Sequence, residues 1–171
     1  MTGAGDVPVI FEQQSDPVAA RMAGVVPRGR EEFEAHWGRL LTALPARLVA
    51  RVIEADGVVV GAINCFQRDG LEEELAVSMK AGGVGRGESG RELDFIGYWI
   101  GREHWGRGIA TRALALMVEE VAFRPLHART ARGNVASQRV LERNGFVVVG
   151  SRCAPAEGRF LGGEEVLWML G

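Results

Sequence analysis

The sequence predicts one domain of mixed α/β (α+β) type, in which helices and strands alternate and most strand neighbours come from hairpins. Three observations lead there. The apolar period changes from helical to strand-like after Pro45. Asp56-Gly57 forms a hairpin signal between two β-rich runs. A strand, a glycine turn and an alanine-rich helix then follow one another between 93 and 124.

Taken in order, Ser15-Asp16-Pro17 reads as a helix start: a capping side chain, then a proline where its missing N–H costs nothing. That short helix runs to about Gly24. A second helix fits Glu31 to Leu44, with Phe33, Trp37, Leu40, Leu41 and Leu44 at helical spacing, and Pro45 stops it. RLVARVIE and VVVGAINCF are paired strands. LEEELAVSM fits helix or strand equally, and AGGVGRGESG reads as a mobile loop. A strand begins at about Leu93 and runs to Ile100. A largely buried helix is expected from about Arg107 to Arg124, with Arg112 and Glu119 on its polar stripe. LHARTA is a strand. Asn134 caps a helix that runs to about Arg143 and ends on Asn144-Gly145. FVVVGSRC and EEVLWML close the chain as strands. No repeat and no long linker divides it, so residues 1–171 read as one domain.

Composition narrows the function classes. The chain has 171 residues, 47% apolar and 25% charged, with a net charge of −2, which argues against a general nucleic-acid binder or a membrane-surface protein. No run approaches the roughly 18 apolar residues of a membrane span. MTGAGDVPVI lacks the basic and apolar regions of a signal peptide. Cys65 and Cys153 are the only cysteines and form no zinc or redox pattern, so free thiols, no metal and a cytoplasmic location are expected. Lys80 is the only lysine. The positive charge is therefore almost all arginine, either from codon preference or because arginine matches planar anions and phosphates.

Two glycine clusters invite a phosphate-binding reading. GRGESG, with Gly85, Gly87 and Gly90, matches G-x-G-x-x-G, but a strand follows it where the dinucleotide fingerprint requires a helix. WGRGIA sits between a strand and a helix instead. The first turn of a helix leaves N–H groups unpaired and carries partial positive charge. The missing side chains of Gly106 and Gly108 would let a pyrophosphate approach those groups, with Arg107 and Arg112 either adding charge or facing water. A purely structural turn is the competing reading. No G-K-[ST] follows, so this is not a Walker loop.

WGRGIAT resembles the pyrophosphate loop of the GNAT N-acetyltransferase superfamily, [QR]-x-x-G-x-[GA], with Gly108 and Ala110 in the last two places and Trp105 where glutamine or arginine is usual. NVASQRVLERNGF resembles the family's next segment through Asn134, Ser137, Gly145 and Phe146. Together the two cover about residues 93–150 and look most like the branch that includes ribosomal-protein N-terminal acetyltransferases.

The resemblance implies a mixed, mostly antiparallel sheet of about six to seven strands, splayed between its fourth and fifth strands and flanked by about four helices. Acetyl-CoA would lie in the split as cosubstrate. Main chain at Tyr98, Trp99 and Ile100 would pair with the pantetheine arm. Trp105, Gly106, Arg107, Gly108, Ile109, Ala110 and Thr111 would hold the pyrophosphate, and Asn134 and Ser137 would bound the arm from the other side. An amine, from a protein N-terminus or a small molecule, would attack the thioester directly.

In this reading the main-chain N–H near Ile100 stabilises the oxyanion. Many relatives place an acidic tyrosine seven residues after the asparagine; here that place holds Leu141, and Ser137 is the substitute. Asp94 is the candidate base, with Glu92 behind it. His36 and Trp37, on the second helix, are candidate acceptor-binding residues; His104 reads as exposed and His127 as a core histidine. A non-catalytic acyl-CoA-binding module of the same fold is the alternative, and the oligomeric state stays open between monomer and homodimer.

Overall fold

The computed structural model describes residues 4–42, 48–81 and 92–171. The glycine-rich loop expected at 82–91, and Leu44 with Pro45, lie outside the described residues. In chain order the helices are α1 (Val7–Gln14), α2 (Pro17–Met22), α3 (Arg30–Thr42), α4 (Glu72–Lys80), α5 (Ile109–Glu120) and α6 (Val135–Arg143). The strands are β1 (Val49–Ala55), β2 (Val58–Asp69), β3 (Glu92–Ile100), β4 (Leu126–Ala131), β5 (Val147–Ala154) and β6 (Gly163–Leu170). They form one sheet in the order β1-β2-β3-β4-β6-β5.

Local chemistry sets most of these boundaries. Asp56 and Gly57 take φ of 54° and 77°, the paired left-handed geometry of a tight hairpin turn, and so join β1 to β2. Asp16 accepts hydrogen bonds from the N–H groups of Val18 and Ala19 and starts α2 at Pro17. Asn134 accepts from Ser137 N–H and starts α6. β2 bonds β1 on one edge and β3 on the other, and Gly61 lets it come close: a Cβ there would meet the Trp99 carbonyl oxygen at 2.1 Å.

The interval between β3 and β4 shapes everything else. They are parallel and pair only at Asp94↔Leu126 and Phe95↔His127. Beyond that point β3 continues to Ile100 and β4 to Ala131, unpaired with each other. β4 keeps its other edge bonded to β6 throughout, from Leu126↔Leu170 to Ala131↔Glu165. The sheet therefore splays between its third and fourth strands in chain order, because among the described residues no strand precedes α1.

Each face of the sheet carries its own core. Ile96, Leu114, Met117, Leu126, Leu141 and Trp168 pack together under α5 and α6. Ile10, Phe33, Trp37 and Ala62 pack under α1 and α3 on the other face. No described helix is long and apolar enough to cross a membrane.

Three elements differ from the sequence reading. α1 was not expected: Val7, Val9 and Ile10 are poor helix formers, and its stability comes from burying Ile10 and Gln13 against the sheet. LEEELAVSM resolves as helix. Its Glu74 is fully buried, accepts from Leu71 N–H at 2.8 Å and holds Arg129 of β4 through two bonds of 2.8 and 2.6 Å. The helix expected over 107–124 spans only Ile109–Glu120 and is half-buried, since Leu114 and Met117 alone are fully covered. Positive φ at Gly108 delays its start. At its end Arg124 donates to the carbonyls of Val118, Val121 and Phe123, satisfying acceptors that further helix would have used.

The buried Glu74–Arg129 pair gives a stability prediction. Arg129→Met leaves a carboxylate buried without its partner, and chemical denaturation should show a loss of about 3–5 kcal/mol. Adding Glu74→Leu should recover most of that loss; a double variant as unstable as the single one contradicts the assignment.

Candidate active site

The split exposes backbone on both of its arms. Gly101 N–H donates to the Val60 carbonyl at 2.9 Å, next to the register pairs Gly61↔Ile100 and Ala62↔Trp99. Bonded and non-bonded pairs alternate along an antiparallel ladder. Trp99 and Gly97 therefore turn their N–H and C=O groups toward β2, while Tyr98 and Ile100 turn theirs toward the gap. The Ile100 carbonyl accepts from the Trp105 indole N–H at 2.9 Å. The N–H groups of Tyr98 and Ile100 and the Tyr98 carbonyl remain for a ligand. Trp99, expected to contribute main chain, is committed to β2, and its indole N–H bonds the Gln13 carbonyl.

At the open end of β3 the chain turns through Arg102–His104 into the glycine loop. Gly106 and Gly108 both have φ of 74°, a conformation that disfavours any side chain, and a Cβ on either would meet nothing within 4 Å. α5 starts with no side-chain cap, and Arg112 N–H to the Gly108 carbonyl is its first helical bond. The N–H groups of Ile109, Ala110 and Thr111 thus have no helical acceptor. Asn144 Nδ2 donates to the Thr111 carbonyl at 3.2 Å and ties this turn to the end of α6.

These features share one cavity of about 340 Å³. It is bounded by Tyr98, Trp99 and Ile100 of β3, by the stretch from Trp105 through Gly106, Arg107, Gly108, Ile109 and Ala110 to Thr111, and by Asn134 and Ser137 at the start of α6. Arg107, Arg139 and Arg143 line it, and no described lining residue is a carboxylate. Arg139 and Arg143 were missed in the sequence. Their signal was present: Ala136, Arg139, Val140 and Arg143 follow the i, i+3, i+4, i+7 spacing of one helix face. Ala19, Met22 and Ala23 also line the cavity, and nothing in the sequence announced them.

Tyr98 and Ser137 meet across the split, hydroxyl to hydroxyl, at 2.7 Å. Burial pushes the Tyr98 phenol up to about 12, partly offset by its bond to Ser137, so the hydroxyl stays protonated at neutral pH. Leu141, in the place of the usual tyrosine, is buried in the core.

Three expected site residues, Asp94, Trp37 and His36, do not line the cavity. Asp94 is buried where β3 and β4 still pair and does not line the cavity, so it is not placed to act as the base. Trp37 is buried against Phe33 under α3 and cannot wall an acceptor. His36, one residue before it, is half-buried; burial and then the charges of Arg28, Arg39 and Arg159 push its pKa down. His127 is fully buried, as the sequence suggested, and burial holds it neutral beside the Asp94 carbonyl.

A split sheet whose gap opens onto a bare helix N-terminus is the arrangement that the sequence resemblance implied. The family model for the acetyltransferase (GNAT) domain matches residues 2–147, and the chain belongs to that family. Solved structures share the fold at low identity. The spermidine N-acetyltransferase of Vibrio cholerae, in complex with CoA and spermine, superposes with a TM-score of 0.72 at 14% identity, over 99% of this chain and 91% of that one. An N-acetyltransferase of Staphylococcus aureus gives 0.71 at 15%, over 99% and 94%. The aminoglycoside acetyltransferase AAC(6')-Ib in complex with coenzyme A gives 0.69 at 14%, over 99% and 91%. No curated protein matches the chain.

Tyr98 is the only tyrosine, so its ionisation can be followed alone. Ultraviolet titration of the folded protein should show the phenolate well above the ordinary 10, and Ser137→Ala should raise it further by removing a bond that favours the phenolate. Ionisation near 10 while the protein is folded would mean that water reaches the hydroxyl.

Proposed function

We propose that this chain transfers an acetyl group from acetyl-CoA to a primary amine within a ternary complex, with residues 1–171 acting as one domain. One observation carries the reading: unpaired N–H groups at the start of α5 and the free edge of β3 open into the same arginine-lined cavity. The fit to a thioester of CoA is physical. A pyrophosphate needs main-chain donors, positive charge and room for close approach, and the stretch 106–111 offers all three. An amide-bearing arm needs alternating main-chain donors and acceptors, and Tyr98 and Ile100 offer them.

The chain's residues then divide the work. Binding both substrates in the split turns a bimolecular attack into a local one. The amine nitrogen attacks the thioester carbonyl, whose oxygen is met by a main-chain N–H of Ile100 or Tyr98. The C–S bond breaks, an amide forms, and the sulfur takes up the proton that the amine gives up. Tyr98 is too weak an acid to be the net source, since a thiol ionises near about 8.5. Its role, with Ser137, is to donate a hydrogen bond to the leaving sulfur and pass the amine's proton along. No described carboxylate lines the cavity, which suits an amine already partly neutral, such as an α-amine with a pKa of about 7.7–8.0. Both a protein N-terminus and a small molecule fit that requirement; the relatives named above are an enzyme of spermidine and one of aminoglycosides. A second reading, binding of acyl-CoA without turnover, rests on Leu141 standing in place of the usual tyrosine.

Calorimetry with CoA, followed by thiol release from acetyl-CoA over a panel of amines, separates the two. CoA should bind the wild-type protein. Gly108→Trp should abolish binding, by straining a turn whose φ is 74° and by adding bulk beside the bare N–H groups, and should keep the circular dichroism of the fold, because a Cβ there meets nothing within 4 Å. Ser137→Ala should lower kcat about tenfold, the worth of one hydrogen bond, with little change in KM for acetyl-CoA. CoA binding with no turnover on any amine favours the second reading, and unchanged affinity in Gly108→Trp rejects the loop assignment.

A further inference from the structure

Two arginines beyond the end of α2 carry a charge pattern that the cavity does not explain. Ala19, Met22 and Ala23 line the cavity, and residues 24–26 continue the chain from there. Gly24 lies against Ala131 at the end of β4, where a Cβ would sit 3.7 Å from the alanine methyl. This strip is held by the loop between β5 and β6: Val26 N–H donates to the Arg159 carbonyl at 2.7 Å, and Leu161 N–H to the Gly24 carbonyl at 2.9 Å. Arg28 and Arg159 therefore come together beside the strip, both half-buried.

Their partners do not balance their charge. Arg28 pairs with Glu32 at 3.2 Å, and Glu32 is itself 65% exposed. Arg159 uses only its Nε, on the Val26 carbonyl at 3.2 Å. Its two terminal nitrogens have no protein partner among the described residues. Burial and the nearby Arg28 charge lower the pKa of Arg159, and Glu32 offsets part of this. His36 adds no negative charge, and Arg39 lies near enough to act on it. Two guanidiniums beside one exposed carboxylate form an incomplete set, and a free planar fork matches a carboxylate or a phosphate through paired N–H bonds. Around them Met22, Val26, Phe160 and Leu161 expose apolar side chains.

We propose that the acceptor is a small amine that carries an oxyanion, a carboxylate or a phosphate, which Arg159 and Arg28 hold while its amine points into the split. This rests on the acetyl-transfer reading above and narrows it. It also disfavours polyamines, whose added positive charge would face the two arginines.

The test compares acceptors that differ only in the anion, on the CoA-saturated protein. Phenylalanine against phenylalaninamide tests a carboxylate with an apolar body; phosphoethanolamine against ethanolamine tests a phosphate; spermidine is the cationic control. In at least one pair the anionic member should bind about tenfold to a hundredfold more tightly by calorimetry, the worth of a charge-assisted pair. Arg159→Gln and Arg28→Gln should each reduce that preference while leaving CoA affinity and the weak binding of the neutral member unchanged. Equal affinity within both pairs, tighter binding of spermidine, or a preference that survives both substitutions overturns the proposal. Because binding is the readout, a protein that binds the anionic amine but turns nothing over rejects the transfer reading and keeps only the anion site of Arg159 and Arg28.

Discussion

The interrupted pairing of β3 and β4 is the constraint on which the rest depends. A strand has two hydrogen-bonding edges, and buried main-chain groups left without partners are costly. β3 satisfies one edge along its whole length with β2, and the other only as far as Phe95. The alternation of the ladder then decides which residues present unpaired groups to the gap, and the answer is Tyr98 and Ile100. α5 must leave from the open end of β3, which brings its bare first turn to the same place. The cavity follows from these two facts of backbone geometry before any side chain is considered.

Side chains refine the site from both arms. Ser137 sits where the Asn134 cap fixes the first turn of α6, and Tyr98 reaches it from β3. The hydroxyl pair links β3 to α6 across the gap, and its protonation follows from burial. Arginine is distributed with equal economy. In the cavity Arg107, Arg139 and Arg143 stand with the helix N-terminus. Under α4 Arg129 is matched by a buried carboxylate and serves stability.

Much of this was legible in the residues, and the failures have physical causes. Asp56-Gly57, Asn134 and Gly145 gave the hairpin and both ends of α6 correctly, because capping and left-handed turns are local chemistry. The stretch 105–111 was legible for the same reason: only glycine accepts the backbone found at 106 and 108. The expected site failed where tertiary context decides. Asp94 is a polar residue on the right strand, but its position along the strand puts it where the sheet is still closed. Trp37 was a candidate acceptor wall although it shares the apolar helical spacing of Phe33, and α3 turns it into the core while its neighbour His36 stays near the surface. α1 was invisible because its stability comes from what it packs against. Arg139 and Arg143 were readable from helical spacing once the first turn of α6 was known to face the split.

A half-edge of strand left open in the middle of a sheet is also a hazard, since it is a template on which a foreign chain can grow. Trp105 deals with part of this by covering the last carbonyl of β3, and Ala19, Met22 and Ala23 stand against the same cavity. An extended, slender guest can use the half-edge that is left, whereas a pleated strand would need the width that these side chains occupy.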